Sequence, residues 1–254
     1  MNNQVDINTP YLFACDLDNT LIHSYKYKVA DDVCIEIYND REQSFISSRA
    51  IELLGEVVKK ILWVPVTTRS IEQYNRIQWN SAPKYAVVSN GANLLDEGRI
   101  DNDWWNESLT YIQPYEDELK RQCSLQARNE NFSICRIVDG SFLFLKCYDK
   151  VDTAKCAAEL QSDTNLTVQH SGRKIYLFPP KLNKGTALLR LQNKLSPTHT
   201  ICAGDSAIDI PMLDVADIAY VPSNLISEID NKLYREFKIA EDILENILES
   251  EQIF

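Results

Sequence analysis

The chain has 254 residues, of which 44% are hydrophobic and 25% charged, with a formal net charge of -11 and a pI near 4.8. That size and mixture suit one large globular domain, or a core carrying a smaller insertion, and need no disulfide or metal to close a core. The acidic balance argues against nucleic acid as a partner, because a phosphate backbone would be repelled, but a local cationic site can still hold a small phosphorylated metabolite.

The seven cysteines, Cys15, Cys34, Cys123, Cys135, Cys147, Cys156 and Cys202, are odd in number and include no CxxC pair. They read as reduced thiols of a cytoplasmic protein, without zinc-ligand spacing. The opening MNNQVDINTP lacks a basic region followed by an apolar stretch, so it does not read as a signal peptide. No apolar run approaches the roughly 20 residues of a membrane span.

Taken in chain order, Tyr11 to Cys15 is a short continuous apolar run, as expected of a strand buried on both faces. Val33 to Tyr38 and Gln43 to Ile46 flank Asn39-Asp40 and predict a β-hairpin. Ser48 to Lys60 carries apolar residues at helical spacing, Ile61 to Val66 is a second buried strand, Ser70 to Gln78 a helix and Tyr85 to Val88 a third strand. Asn93 to Ile100 predicts a small hairpin turning at Glu97-Gly98. From Trp104 to Phe178 the order becomes helix, strand, strand, helix, strand, strand. The helices are Pro114 to Gln126 and Asp152 to Leu160; the strands are Ser133 to Val138, Phe142 to Cys147, Leu166 to His170 and Lys174 to Phe178. After Pro179-Pro180 the first texture returns, with a helix from Lys184 to Lys194, strands Thr200 to Ala203 and Ile218 to Val221, and an amphipathic stretch from Glu241 to Glu249.

Alternating strands and helices predict an α/β fold, a Rossmann-like doubly wound parallel sheet, interrupted by an inserted αββαββ domain. The boundaries read as 1–103 with 179–254 for the core and 104–178 for the insert.

Three buried strands run into a polar residue: YLFAC into Asp16, LWVPV into Thr67 and TICAG into Asp205. In a parallel sheet the strand C-termini share one edge, where such folds bind ligands, so these residues can meet. Asp16-Leu17-Asp18 offers one carboxylate to attack and another to move a proton, although a lone DxD also suits a turn, a cap or a metal site. Thr67 suits a phosphate oxygen or a helix N-cap. Lys184 precedes Gly185 at a helix start, which suits an anion site, although a lysine there taken alone reads more readily as solvated. Gly204-Asp205-Ser206 is followed by Asp209, with Gly204 expected to permit a sharp exit from the strand.

These four motifs, in this order, resemble those of the haloacid dehalogenase superfamily: DLDNT, VTTRS, Lys184 and GDSAID. The likeness covers the core almost end to end. SNGANLLDEGRI resembles the approach to the cap in the branch with C2-type caps, the Cof-like and sucrose-phosphatase-like enzymes. The resemblance implies a phosphatase with Asp16 as nucleophile, Asp18 as acid and base, and Thr67 and Lys184 as phosphoryl ligands. It also implies Mg²⁺ held by Asp16, the Asp18 carbonyl and Asp205, supported by Ser206 and Asp209. A substrate among small phosphate monoesters, such as a sugar phosphate, follows from the same likeness.

Two positions depart from the Cof-like pattern: Thr68 stands where many members have Gly, and Ile208 where many have Asn. The Val33 to Ile46 hairpin is longer than usual and is expected to reach over the site. A phosphotransferase or phosphomutase, a phosphoprotein phosphatase, and a non-catalytic phospho-ligand-binding protein remain open on the same scaffold. Outside the motifs, His23 reads as a possible substrate contact, Trp104-Trp105 as packing between the two parts, and Arg173 and Lys174 as solvated turn residues or substrate-binding cations.

Overall fold

The computed structural model describes residues 11–250, so the reading of the first ten residues lies outside it. Its central sheet is parallel. In chain order, β1 (Tyr11–Cys15) and a short β2 (His23–Ser24) precede the hairpin β3 (Asp32–Tyr38) and β4 (Arg41–Ser47). Helix α1 (Ser48–Val57), β5 (Leu62–Pro65), α2 (Ile71–Asn75), β6 (Tyr85–Val88), β7 (Asn93–Asp96) and β8 (Arg99–Ile100) follow. The next block comprises α3 (Asn102–Ile112), α4 (Glu116–Gln126), β9 (Phe132–Val138), β10 (Phe142–Cys147), α5 (Thr153–Ser162), β11 (Thr167–Ser171) and β12 (Lys174–Phe178). The last described elements are α6 (Lys184–Leu195), β13 (His199–Ala203), α7 (Ile210–Asp214), β14 (Ile218–Val221), β15 (Tyr234–Glu236) and α8 (Ala240–Glu249).

The core sheet has the order β15-β14-β13-β1-β5, and Val66 continues it toward β6 through a parallel bridge to Val87. Side chains alternate between its two faces. Phe13, Trp63, Ile201 and Tyr220 pack on one side with α1 and α8, while Leu12, Val64, Cys202 and Val221 pack on the other with α6 and α7. Both faces are covered, which is why these strands read as unbroken apolar runs. No helix among the described residues is long and apolar enough to cross a membrane, and all seven cysteines are free thiols.

The second sheet is antiparallel, in the order β11-β12-β10-β9. Its Leu143, Leu145, Ile175 and Leu177 pack against α4 and α5. The opposite face, with Phe142, Tyr176 and Phe178, meets Ile208 from the core. This sheet forms a cap. Helix α3 was not expected; it adds a turn-linked helix before α4. Its Trp104 joins the core cluster and Trp105 the cap cluster, the packing role expected of that pair.

Glu118 ties α4 to the segment before β11. It accepts hydrogen bonds from Arg121 Nε at 2.7 Å and Thr164 Oγ1 at 2.6 Å. The Arg121 pairing brings its carboxyl down from 4.5 to about 2 against a smaller opposing effect of burial. A depressed folded pKa gives stability that is present above pH 4.5 and disappears as pH falls through about 2. Glu118→Gln should therefore melt below wild type at neutral pH, and the gap should close over that acid window; a gap constant with pH would exclude the ion pair as its source.

Candidate active site

Three neighbouring sheet strands deliver the residues after them to one edge. Cys15 accepts from Val66 N at 2.8 Å, and Asp16 N donates to Ala203 O at 2.9 Å, so the ends of β5, β1 and β13 lie side by side. This places the loops carrying Asp16, Thr67 and Asp205 together, as their positions after apolar runs require.

Lys184 is the hub. The residue is 1% exposed, and its ammonium donates to Asp16 Oδ1 and to Asp209 Oδ1, each at 2.5 Å. Asn183 caps α6 by accepting from Thr186 N at 2.9 Å, which fixes the first turn that carries the lysine. Gly185 is dictated by packing, because a Cβ there would lie 2.3 Å from Pro211 O. Asp209 is fully buried; its second oxygen accepts from Asp205 N, Ser206 N at 3.0 Å and Ser206 Oγ at 2.8 Å. Asp209 thus holds both the lysine and the Asp205 loop. Gly204 has a packing reason as well: its backbone is not left-handed, and a Cβ there would lie 2.4 Å from that of Asp209.

One oxygen each from Asp16, Asp205 and Asp209 can be chosen so that all lie within 4.8 Å of one another. Three carboxylates then face one ammonium. Burial, opposed by Lys184 and reinforced by Asp209 and Asp205, pushes the Asp16 carboxyl well above its ordinary range. Burial and Asp209 push Asp205 to about 6. Burial depresses Lys184, but Asp16 and Asp209 outweigh it and hold the ammonium charged. An all-oxygen donor set with surplus negative charge fits a hard cation.

Asp18 is placed differently. Arg69 Nε and Nη2 donate to its two oxygens, both at 2.8 Å. Burial pushes the Asp18 carboxyl up, but Arg69 outweighs it and brings it to about 2. Arg69 also donates to Glu36 Oε2 at 2.7 Å and Ser44 Oγ at 2.9 Å, both on the hairpin. Glu36 is 3% exposed and accepts from Arg76 Nε at 3.0 Å as well. The long hairpin therefore does reach over the site, and it grips Arg69. Thr67, also buried, accepts from Arg69 N at 3.2 Å, a turn contact beside whatever ligand role it has. His23 is bonded to Asp32 at 2.7 Å and does not line the cleft between core, hairpin and cap, and Arg173 pairs with Asp149.

Between core, hairpin and cap lies a cleft of about 230 Å³. Asp18, Thr68 and Arg69 line its base, Glu36 and Ser44 one wall, and Arg136, Phe144, Lys174 and Tyr176 the cap side. The Thr68 hydroxyl interacts with Tyr176, and Asp139 of the β9–β10 turn accepts from Ile71 N at 2.9 Å and from Ser89 Oγ. The two departures from the Cof-like pattern, Thr68 and Ile208, thus both contact the cap.

A family profile described as haloacid dehalogenase-like hydrolase matches residues 100–238. The chain belongs to that family. Among solved structures, the sucrose-phosphatase of Synechocystis sp. PCC6803, solved with sucrose and phosphate, superposes with a TM-score of 0.68 at 19% identity over 94% of this chain and 97% of its own. The C-terminal domain of C. albicans trehalose-6-phosphate phosphatase gives 0.62 at 14%, over 94% and 91%. A haloacid dehalogenase-like hydrolase of B. subtilis gives 0.58 at 16%, over 94% and 99%. No curated protein matches the chain. The hydrolase fold is thus the Cof-like and sucrose-phosphatase-like variant expected from the motifs, a capped parallel sheet.

Sequence reading missed Arg69 and Glu36 as site residues. Arg69 stands within VTTRS, where nothing local in the sequence marks it for a role. Glu36 lay on what reads as the polar side of a hairpin, where nothing distinguishes it from a solvated acid.

Proposed function

We propose that this hydrolase cleaves a small phosphate monoester, of the sugar-phosphate class, through an aspartyl-phosphate on Asp16 with Mg²⁺ as cofactor. The observation that carries this reading is the Asp16–Lys184–Asp209 chain beside Asp205, at the strand-end edge of the sheet and next to a capped cleft. Asp16, Asp205 and the Asp18 main-chain carbonyl would hold the cation, which supplies charge neutralisation for the transferring phosphoryl oxygens.

The chain's own groups account for the rest. An Asp16 oxygen attacks phosphorus as the bond to the leaving alcohol breaks. Lys184 and Thr67 hold phosphoryl oxygens, positioning and charge compensation being the main demands of this reaction. Asp18 gives a proton to the departing alkoxide and later takes one from water, worth on the order of 10²–10⁴-fold. For the first of these steps it must leave Arg69 and take up a proton, so substrate entry and the loosening of that pair are coupled. The cap, residues 104–178 with Tyr176 and Phe144 on its inner face, selects the alcohol. A cleft of about 230 Å³ under a cap favours a small metabolite over a phosphoprotein. The sucrose- and trehalose-phosphatase likenesses support the sugar-phosphate class.

An aryl phosphate assay tests this. Phosphate release should require Mg²⁺, stop with EDTA and be lost in Asp16→Asn. Equal release from variant and wild type would remove Asp16 as the nucleophile, and recovery of the phosphoryl group on a second alcohol would make the enzyme a phosphotransferase.

A further inference from the structure

We propose that the alcohol released by this enzyme carries a second anionic group, and that Lys174 and Arg136 of the cap bind it. The inference rests on the phosphatase reading above and concerns the part of the substrate that the cap covers.

The strand registers show which residues share the cleft face of the cap sheet. Phe144 sits between Arg136 on β9 and Tyr176 on β10's other neighbour, β12, while Lys146 sits opposite Lys174. Residues paired this way point to the same side. Arg136, Phe144, Lys174 and Tyr176 all line the cleft. Every charged strand residue on that face is a cation: Arg136, Lys146 and Lys174. This occurs in a chain whose net charge is -11.

No close ion pair accounts for these cations, although Tyr176 and, at longer range, Asp18 favour the charge on Lys174. The cleft's own carboxylates are taken: Asp18 is gripped by Arg69, and Glu36 by Arg69 and Arg76. Among the described residues, neither Lys174 nor Arg136 has an ion-pair partner within 4.0 Å. Neighbouring Arg173, by contrast, is spent on Asp149, outside the cleft. Arg136 lies over the Phe144 ring at 5.8 Å, which leaves its guanidinium edge open to a ligand.

The transferring phosphoryl group has its own ligands in Lys184 and Thr67, so it does not require cations on the cap. A neutral sugar would be served by the aromatic rings and by hydroxyl and amide groups such as Gln43 and Gln73. Two unpaired cations on the cap wall match instead a carboxylate or a second phosphate on the leaving group, held by charge-assisted hydrogen bonds.

The test compares esters that differ only in that group: 6-phosphogluconate against sorbitol 6-phosphate for a carboxylate, and glucose 1,6-bisphosphate against glucose 6-phosphate for a second phosphate. Turnover is measured with wild type and binding by calorimetry with Asp16→Asn. In at least one pair the doubly anionic ester should win by about tenfold or more, the scale of a charge-assisted hydrogen bond. Lys174→Met and Arg136→Met should cut kcat/KM for that ester far more than for its partner, and Lys174→Arg should restore part of the preference. The winning pair tells carboxylate from phosphate. Equal or inverted preference in both pairs, failure of every doubly anionic ester to bind, or an equal loss on both partners in the variants would overturn the inference. A preference kept in binding, but with no Asp16-dependent turnover, would overturn the phosphatase reading alone.

Discussion

Asp209→Asn should lose both stability and activity, though Asp209 touches no part of the substrate in the proposed reaction. The carboxylate is fully buried and accepts from Lys184 with one oxygen and from the Asp205–Ser206 loop with the other. An amide keeps the shape but removes the charge, and its NH₂ group would face a donor. Breaking a buried ion pair costs about 3–5 kcal/mol. Lys184 still has Asp16, so the lower end applies, roughly a 6–12 °C fall in Tm for a chain of this size. Activity should fall further than stability implies. Without Asp209, Lys184 is drawn wholly onto Asp16, which makes the nucleophile less available, and the Asp205 loop loses its anchor. A kcat reduction on the order of 10²-fold or more is expected, the scale seen when charged groups are misplaced around a transition state. Thermal melting and phosphate release on one preparation check both halves; wild-type kcat in a destabilised Asp209→Asn protein would confine this residue to a structural role.

The parallel core and its edge were legible because burial on both faces writes an unmistakable pattern. YLFAC is apolar to its end and TICAG is apolar from Ile201 to Ala203, and the observed strands stop at Cys15 and Ala203. The cap strands were legible from their hairpin turns: Asp139-Gly140 has the positive φ angles that two-residue turns require. Helix α3 was not. It buries only Trp104, Ser108 and Ile112, at i, i+4 and i+8, and the serine hides the period. That serine is buried because Arg190 of α6 donates to it at 2.9 Å while stacking over Trp104 at 3.7 Å. A buried arginine in a helix leaves no local trace, since its partners come from another segment. Strand β15 is three residues, Tyr-Arg-Glu, at a sheet edge, with no alternation to detect.

Glu36 was hidden for a different reason. Register shifts between Cys34, Glu36 and Ile37 break the alternation of the hairpin, so Ile35 and Glu36 are both buried while Ile37 is 55% exposed. A bulge of this kind re-aims a side chain without any change of residue type. Here it turns a carboxylate onto Arg69. The site edge could be read from periodicity, but the clamp over it depends on one irregularity in strand pairing.

That clamp sets the second large effect. Arg69→Lys and Arg69→Met should both lose most activity, with lysine giving little rescue. The guanidinium meets Asp18 with two nitrogens, Glu36 with a third contact and Ser44 with a fourth. Lysine carries charge but has a single ammonium on a flexible stem, and cannot bridge two carboxylates in this fork geometry. In Arg69→Met the 3% exposed Glu36 keeps only Arg76 and Ser44 as partners, so a stability loss of about 3 kcal/mol is expected. Asp18 would then be free of its anchor, and misplacement of the acid and base group should lower kcat by ~10²-fold or more. Glu36→Gln combined with Arg69→Met should cost less than the sum of the two, with a coupling of about 1–3 kcal/mol, because each single change removes one charged partner of the other. Strict additivity in that cycle, or a lysine variant with wild-type Tm and kcat, would mean that the hairpin merely lies over the site and does not hold it.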